Sequence, residues 1–373
     1  MSFILIPASA AYTSTTASGW RFGLRCIWDM ISAALTAPTG NIPKNSSNPT
    51  NGKDLFEMNQ QINDILAEIK KVIIGKDEII AKVLMAMISG GHILLDDVPG
   101  VGKTTLALSF SKALGLDYKR VQLTSDSMPS DIVGFSVYDK ATGQFEYKPG
   151  AVMTNLFLAD EINRTSSRTQ SALLEVMEEF RVTVDGVTRE VPRPFVVIAT
   201  QNPVGSAGTQ MLPDSQLDRF MIRTRMGYPD FQSQVNILKD RHTANPLDSV
   251  NRVLDAEGLL GLREEVTAVY IADTIYEYIT SLAEATRSHE LVLQGLSPRG
   301  ALALCRMGKA YAFTEGRDYV IPEDIAAVFP DVVAHRLMLQ PKARLTGTSA
   351  ADITAELLIS VPMPVTGKGA CHE

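Results

Sequence analysis

The sequence predicts an α/β fold: a parallel sheet covered by helices on both faces, carrying two β-hairpin inserts, followed by an all-α domain. Three observations predict it. HILLDD (92–97), NLFLAD (155–160) and FVVIAT (195–200) are short and apolar almost throughout, as strands buried on both faces must be. Helical periodicity alternates with them, the pattern of parallel strands joined by crossover helices. After Tyr228-Pro229 the strand pattern stops and only helical periodicity remains. The expected division is 1–57 as a disordered or artefactual N-terminal extension, 58–229 as the α/β domain, and 230–373 as the helical domain with a C-terminal tail.

Residues 1–57 are rich in Ser, Thr, Pro, Asn and Gly, and 36–53 reads as linker. Within this stretch, 19–35 reads as part of a disordered tail, with a short amphipathic helix at a membrane surface as the alternative. The clean helical pattern opens at Met58, where Ile62, Ile65, Leu66 and Ile69 share a face. A second helix is expected from Asp77 to about Ser89. HILLDD then leads through a turn into the helix TTLALSFSKAL, which Gly115 closes from the position just beyond its cap. Further strands are expected at 118–124, 155–160, 195–200 and 220–226. FSVYDKATGQFEYK (135–148) alternates about a Gly-containing turn, and VTVDGVTREV (182–191) carries Asp185-Gly186 between β-rich arms; both read as hairpins. Helical segments are expected around 231–241, 256–287, 298–313 and 322–336.

Composition narrows the function. With 45% hydrophobic and 21% charged residues, this is an ordinary globular chain. A net charge of −7 supplies no overall basic footprint for nucleic acid. Cys26, Cys305 and Cys371 are far apart, which argues against disulfides or a zinc site and suits a reducing compartment; with no basic n-region of a secretory signal at the start, a cytoplasmic protein is expected. The five histidines form no helical metal-binding pair. No apolar run reaches the roughly 18–20 residues needed to span a bilayer.

Five elements carry chemistry. The first is DDVPGVGKTT (96–105), which matches a phosphate-binding loop except that Asp97 stands where the strict pattern demands glycine. Backbone N–H groups of Gly100 to Thr105 can wrap phosphates at the helix N-terminus, with Lys103 on the β- and γ-phosphates and the Thr104 hydroxyl on Mg²⁺. Aspartate tolerates unusual backbone conformations, so the corner can still turn, and its carboxylate must point away from a triphosphate or be paired. The second element is FLADE: Asp160 can hold the metal, and Glu161 can polarise an attacking water. The third is FVVIATQNP, where the Asn202 amide can position the same water. The fourth is LPDSQLDRF, whose Arg219 either serves as an arginine finger for a neighbouring subunit or pairs internally with Asp214 or Asp218. The fifth is LSPRG: Ser297 caps a helix, Pro298 occupies its first position, and Arg299 lies in the first turn. A cation there opposes the helix dipole unless an anion lies nearby. Plain alternatives stand beside the others: a solvated turn, an acidic strand end, an Asn-Pro turn and a surface arginine.

Together, in order and at this spacing, these elements resemble the AAA+ ATPases, most closely the MoxR family, over about residues 58–365. The resemblance implies an AAA+ P-loop core with a helical lid, binding ATP with Mg²⁺. It implies a nucleotide cradle of Pro99, Gly100, Val101, Gly102, Lys103, Thr104 and Thr105, with Ile74 and Gly75 against adenine. By the same likeness Thr104 and Asp160 serve the metal, Glu161 is the catalytic base, Asn202 is sensor 1, Arg219 the finger and Arg299 sensor 2. It further implies a hexameric ring acting as a chaperone, in maturation of partner complexes or metal insertion, with von Willebrand A-domain proteins as partners. Members often carry an acidic residue near the corner that Asp97 occupies. The rivals are a nucleic-acid motor or clamp loader, against which Lys140 and Lys148 are balanced by Asp139 and Glu146, and a non-hydrolysing nucleotide switch, which would lack the catalytic acid or finger.

Overall fold

A computed structural model describes residues 52–202, 212–240 and 246–364. The chain runs α1 (Gly52–Lys70), α2 (Asp77–Ile88), β1 (Ile93–Asp96), α3 (Lys103–Ala113) and β2 (Tyr118–Gln122). A short α4 (Pro129–Val133) precedes the first hairpin, β3 (Gly134–Asp139) and β4 (Gln144–Pro149). Next come β5 (Leu156–Asp160), α5 (Ser167–Glu179) and the second hairpin, β6 (Arg181–Val184) and β7 (Val187–Glu190). β8 (Val196–Gln201), the single turn α6 (Asp214–Leu217) and β9 (Ile222–Thr224) complete the α/β part.

The central sheet is ordered β2-β5-β8-β1-β9, and every neighbouring pair is parallel. Alternation along each strand divides its side chains between two cores. Ile93 and Leu95, Leu156 and Leu158, and Val196 and Ile198 face one, while Leu94, Phe157, Ala159, Val197 and Ala199 face the other. The first core takes Ile65 and Ile69 of α1, Leu84 of α2 and Phe110 of α3; the second takes Leu173, Leu174 and Met177 of α5. Both hairpins form where alternation predicts them. The Asp185-Gly186 turn has φ of 51° and 76°, the left-handed pair that a tight hairpin turn requires.

The remaining elements are α7 (Phe231–Asp240), α8 (Ala256–Ala268), α9 (Asp273–Ser288), β10 (Val292–Gln294), α10 (Pro298–Thr314), α11 (Pro322–Val333), β11 (Met338–Leu339), α12 (Pro341–Thr346) and α13 (Ala350–Ser360). Leu259, Leu282, Leu304 and Phe329 of this region belong to the same apolar core as α1 to α3, and Arg263 donates to the Met87 carbonyl at 2.9 Å. No helix among the described residues is long and apolar enough to cross a membrane.

Three expectations change. Helix α1 starts at Gly52, six residues before Met58; Lys53, Leu55 and Glu57 are good helix formers that a composition-based reading passes over. The segment 256–287 is two helices. Tyr270 leaves the helix to exchange backbone hydrogen bonds with Asp318 and Val320 at 2.8 and 2.9 Å, and this pairing wins over continued periodicity. The lid is not purely helical, since β10 and β11 pair as an antiparallel ribbon. Segment 19–35, with both of its readings, lies outside the described residues.

Candidate active site

The carboxyl ends of β1, β5 and β8 form one edge, in register: Asp96 stands opposite Gln201, and Gln122 of β2 opposite Asp160. Open parallel sheets bind ligands along such an edge. A cleft of about 360 Å³ lies there, lined by Pro99, Gly100, Gly102, Lys103, Thr104, Thr105, Arg120, Gln122, Asp160, Glu161 and Asn202.

The turn between β1 and α3 is made by glycines. Gly100 and Gly102 have φ of 87° and 99°, and Gly102 is the N-cap of α3, so backbone N–H groups of the helix start face the cleft. Val101 instead packs toward the apolar core, leaving only its backbone to the loop. The buried Lys103 ammonium donates to the Asp97 carbonyl at 2.6 Å. Burial pushes its pKa down, opposed by Asp160, Asp97, Glu161 and Asp96.

Asp97 corrects an expectation. Its φ is not among the positive values, so the corner needs no glycine-like conformation at this position. Its carboxylate turns away from the cleft and accepts the backbone N–H groups of Met226 and Gly227. Neighbouring Asp96 accepts from Arg223 at 2.5 Å and Arg225 at 2.9 Å; burial alone would raise its pKa, but the two guanidiniums outweigh it and hold the carboxyl below its usual range.

Asp160 and Glu161 are held by a shared hydroxyl. Thr200 Oγ donates to Asp160 at 2.6 Å and accepts the Glu161 N–H at 2.9 Å. Glu161 is left-handed, φ 58° and ψ 49°, a conformation costing a non-glycine residue roughly 1–2 kcal/mol. That backbone kink turns its carboxylate along the edge, where Asn202 Nδ2 donates to it at 2.9 Å and Arg164 pairs with it at 2.9 Å. Asn202 Oδ1 is buried without a protein partner. Arg120 holds the other oxygen of Asp160 at 2.6 Å.

Arg120, Gln122 and Arg164 were not foreseen, and Thr200 is expected only as a polar strand end, without the role it takes here. The signal for Arg120 and Gln122 was present: they are polar residues on one face of β2 at the same carboxyl edge that singled out Asp160.

The donor set suits a nucleotide with its magnesium: an open glycine cradle, a buried lysine, the Thr104 hydroxyl and Asp160 lining one cleft, and an unpartnered Asn202 oxygen. Ile74 and Gly75 do not line this cleft. Gly75 packs against Ser233 and Asp230 where α7 begins, and a Cβ at residue 75 would come within 2.2 Å of Ser233 Oγ.

Arg219 and Arg299 are together, but elsewhere. Both pair with Glu178 at the end of α5, at 3.2 and 3.0 Å. They line a second cleft of about 460 Å³ with Gly90, Gly91, His92 and Met221, residues that precede β1 and β9. The two clefts therefore lie at opposite ends of the sheet, and neither arginine lines the first cleft. Neither Asp214 nor Asp218 is the partner of Arg219. Asp218 is taken by Arg336 at 2.8 Å and by the Ser297 hydroxyl at 3.1 Å. Ser297 also caps α10, accepting from Gly300 at 3.0 Å, as its motif predicts.

The family described as "ATPase family associated with various cellular activities (AAA)" matches residues 92–222, and an AAA lid domain matches residues 284–357. The chain is 45% identical over 309 residues to YeaC of Bacillus subtilis (strain 168), covering 83% of this chain and 97% of that one. It is 34% identical to Chaperone MoxR1 of Mycobacterium tuberculosis, covering 86% and 87%. A crystal structure from Cytophaga hutchinsonii superposes with a TM-score of 0.79 at 37% identity, covering 84% of this chain and 97% of that one.

Proposed function

The chain belongs to the MoxR family of AAA+ ATPases, chaperone-like enzymes that hydrolyse ATP, and from that premise we propose that it works as a ring in which each phosphate cleft is completed by a neighbouring subunit. One observation carries the proposal: Arg219 and Arg299 lie at the amino-terminal end of the sheet while the phosphate loop lies at its carboxyl end. A head-to-tail contact, which closes into rings, brings one end against the other.

Each residue then has a task. Gly100 to Thr105 bind the phosphates through backbone N–H groups, and Lys103 neutralises the β- and γ-phosphates. Magnesium, held by Thr104 and Asp160, would add positive charge against the developing charge on the phosphates. Glu161, aimed by its left-handed backbone and by Asn202, accepts a proton from the attacking water. A neighbour's Arg219 and Arg299 stabilise the charge on the transferred phosphoryl group. Ile74 and Gly75 border the adenine, close to the first lid helix.

We further propose that the work is done on a protein client, in maturing or inserting metal into partner complexes, with von Willebrand A-domain proteins as partners, in the cytoplasm. The first hairpin supports a protein client over nucleic acid. Phe135, Tyr138 and Phe145 are at least half exposed there, while Lys148 is paired with Glu146 at 2.7 Å. Arg189 of the second hairpin lies 4.0 Å over the Tyr147 ring, which ties the two hairpins together. DNA-stimulated, salt-sensitive turnover would overturn the protein-client reading.

Mixed assemblies test the ring. Arg219→Ala and Glu161→Gln subunits should each be inactive alone and should recover about a quarter of wild-type turnover when mixed equally, the share of interfaces combining an intact base with a neighbour's intact arginine. No recovery in assemblies shown to contain both subunits refutes the shared site. Turnover surviving in Lys103→Ala or in Glu161→Gln refutes the site itself.

A further inference from the structure

We infer that Asp97 is a positioning residue that couples the phosphate loop to the strap joining the sheet to the lid. The inference rests on the reading of Lys103 as a phosphate ligand. Asp97 is buried, and each of its polar groups is committed to a different element. Its N–H donates to the Gln201 carbonyl at the end of β8 at 3.1 Å. Its carbonyl accepts the Lys103 ammonium at 2.6 Å. Its carboxylate accepts the N–H of Met226 and, at 3.1 and 3.2 Å, that of Gly227.

Met226 and Gly227 open the strap from β9 to α7. Gly227 has φ 60°, and the next residue, Tyr228, has its carbonyl held by Lys76 at 2.8 Å. The Met226 side chain is buried beneath the loop, 3.8 Å from where a Cβ on Gly102 would lie. The strap is thus clamped by a charged acceptor from the loop on one side and by an ammonium on the other, and charge-assisted hydrogen bonds of this kind are stronger than neutral ones.

The consequence is mechanical. When the Lys103 ammonium turns to a phosphate it leaves the Asp97 carbonyl, and the residue thereby released is the one whose carboxylate holds the strap. Loop occupancy and strap position become linked, in the sense of a coupling free energy between two sites. The glycine of the strict motif would provide the same turn and no clamp.

Asp97→Gly, which restores the strict motif, separates the two roles. In the full chain it should bind a fluorescent non-hydrolysable ATP analogue within about threefold of wild type, while kcat falls about tenfold with KM little changed. Hydrogen exchange at residues 226–228 should quicken on binding that analogue in wild type and lose this response in Asp97→Gly. Asp97→Asn keeps one acceptor oxygen and should fall between the two. Wild-type kcat in Asp97→Gly, or exchange at 226–228 in wild type that ignores the nucleotide, overturns the coupling. Should Asp97→Gly fail to fold by circular dichroism, wild-type kcat and wild-type exchange in Asp97→Asn overturn it instead. The underlying reading fails separately, through unchanged analogue binding in Lys103→Ala.

Discussion

Lowering the pH from 7.5 to 4.5 should destabilise the protein through His92, and the size of the effect follows from its surroundings. The imidazole is buried between β8 and the end of α5. Its Nδ1 accepts the Val197 N–H at 3.0 Å, so Nε2 carries the proton and donates to the Met177 carbonyl at 3.0 Å. Burial pushes its pKa down to about 4; the Met177 carbonyl opposes this, and Arg263 and Arg299 reinforce it. In the unfolded chain the same group titrates near its ordinary value of about 6.5. Above that value both states are neutral and the group adds no pH dependence. As pH falls from 6.5 toward 4, the unfolded chain takes up a proton that the native state refuses, so native stability drops. A separation of about 2.5 units at 1.36 kcal/mol each is about 3 kcal/mol, lost across that window. His335, also buried and held well below its ordinary value by burial first and by Arg336 next, acts in the same direction, so the two must be separated. His92→Gln does this, because its amide can accept from Val197 and donate to Met177 without titrating. Urea unfolding followed by far-UV circular dichroism at half-unit pH steps is the assay. The variant should start less stable at pH 7.5 yet lose up to about 3 kcal/mol less than wild type by pH 4. Parallel curves for the two proteins would falsify the reasoning.

Three further outcomes are expected. Thr200→Val removes the hydroxyl that serves Asp160 and the Glu161 N–H, so turnover should fall about 10- to 100-fold in steady-state kinetics while the shape of the residue is kept. Asp324→Ala strands Arg317, which the buried carboxylate holds through two bonds of 2.5 and 2.8 Å, and should cost about 3–5 kcal/mol in chemical denaturation. Glu178→Ala leaves Arg219 and Arg299 facing each other without the carboxylate between them; turnover should fall about tenfold, with nucleotide affinity in a fluorescence titration unchanged.

Much of this protein is legible in its sequence because the relevant forces act over a few residues. Apolar runs mark the strands, Asp185-Gly186 makes its hairpin turn, Gly100 and Gly102 adopt left-handed backbone, and Ser297 caps its helix; each is decided within one turn or one strand. The cleft residues Lys103, Thr104, Asp160, Glu161 and Asn202 come together because they sit at the ends of strands whose parallel order sets one edge. What tertiary structure alone decided are the partnerships between segments far apart in sequence. The carboxylate of Asp97 has no local signal for Met226 and Gly227, 129 and 130 positions away. Arg219 takes Glu178 because the nearer Asp218 is already committed to Arg336, which arrives from a lid segment 118 positions on. Tyr270 abandons a helical run only because residues 318–320 offer it hydrogen bonds. A pattern in sequence states what a residue can do; when several oppositely charged or hydrogen-bonding groups compete for it, the packed core that fixes their distances selects which of them it meets.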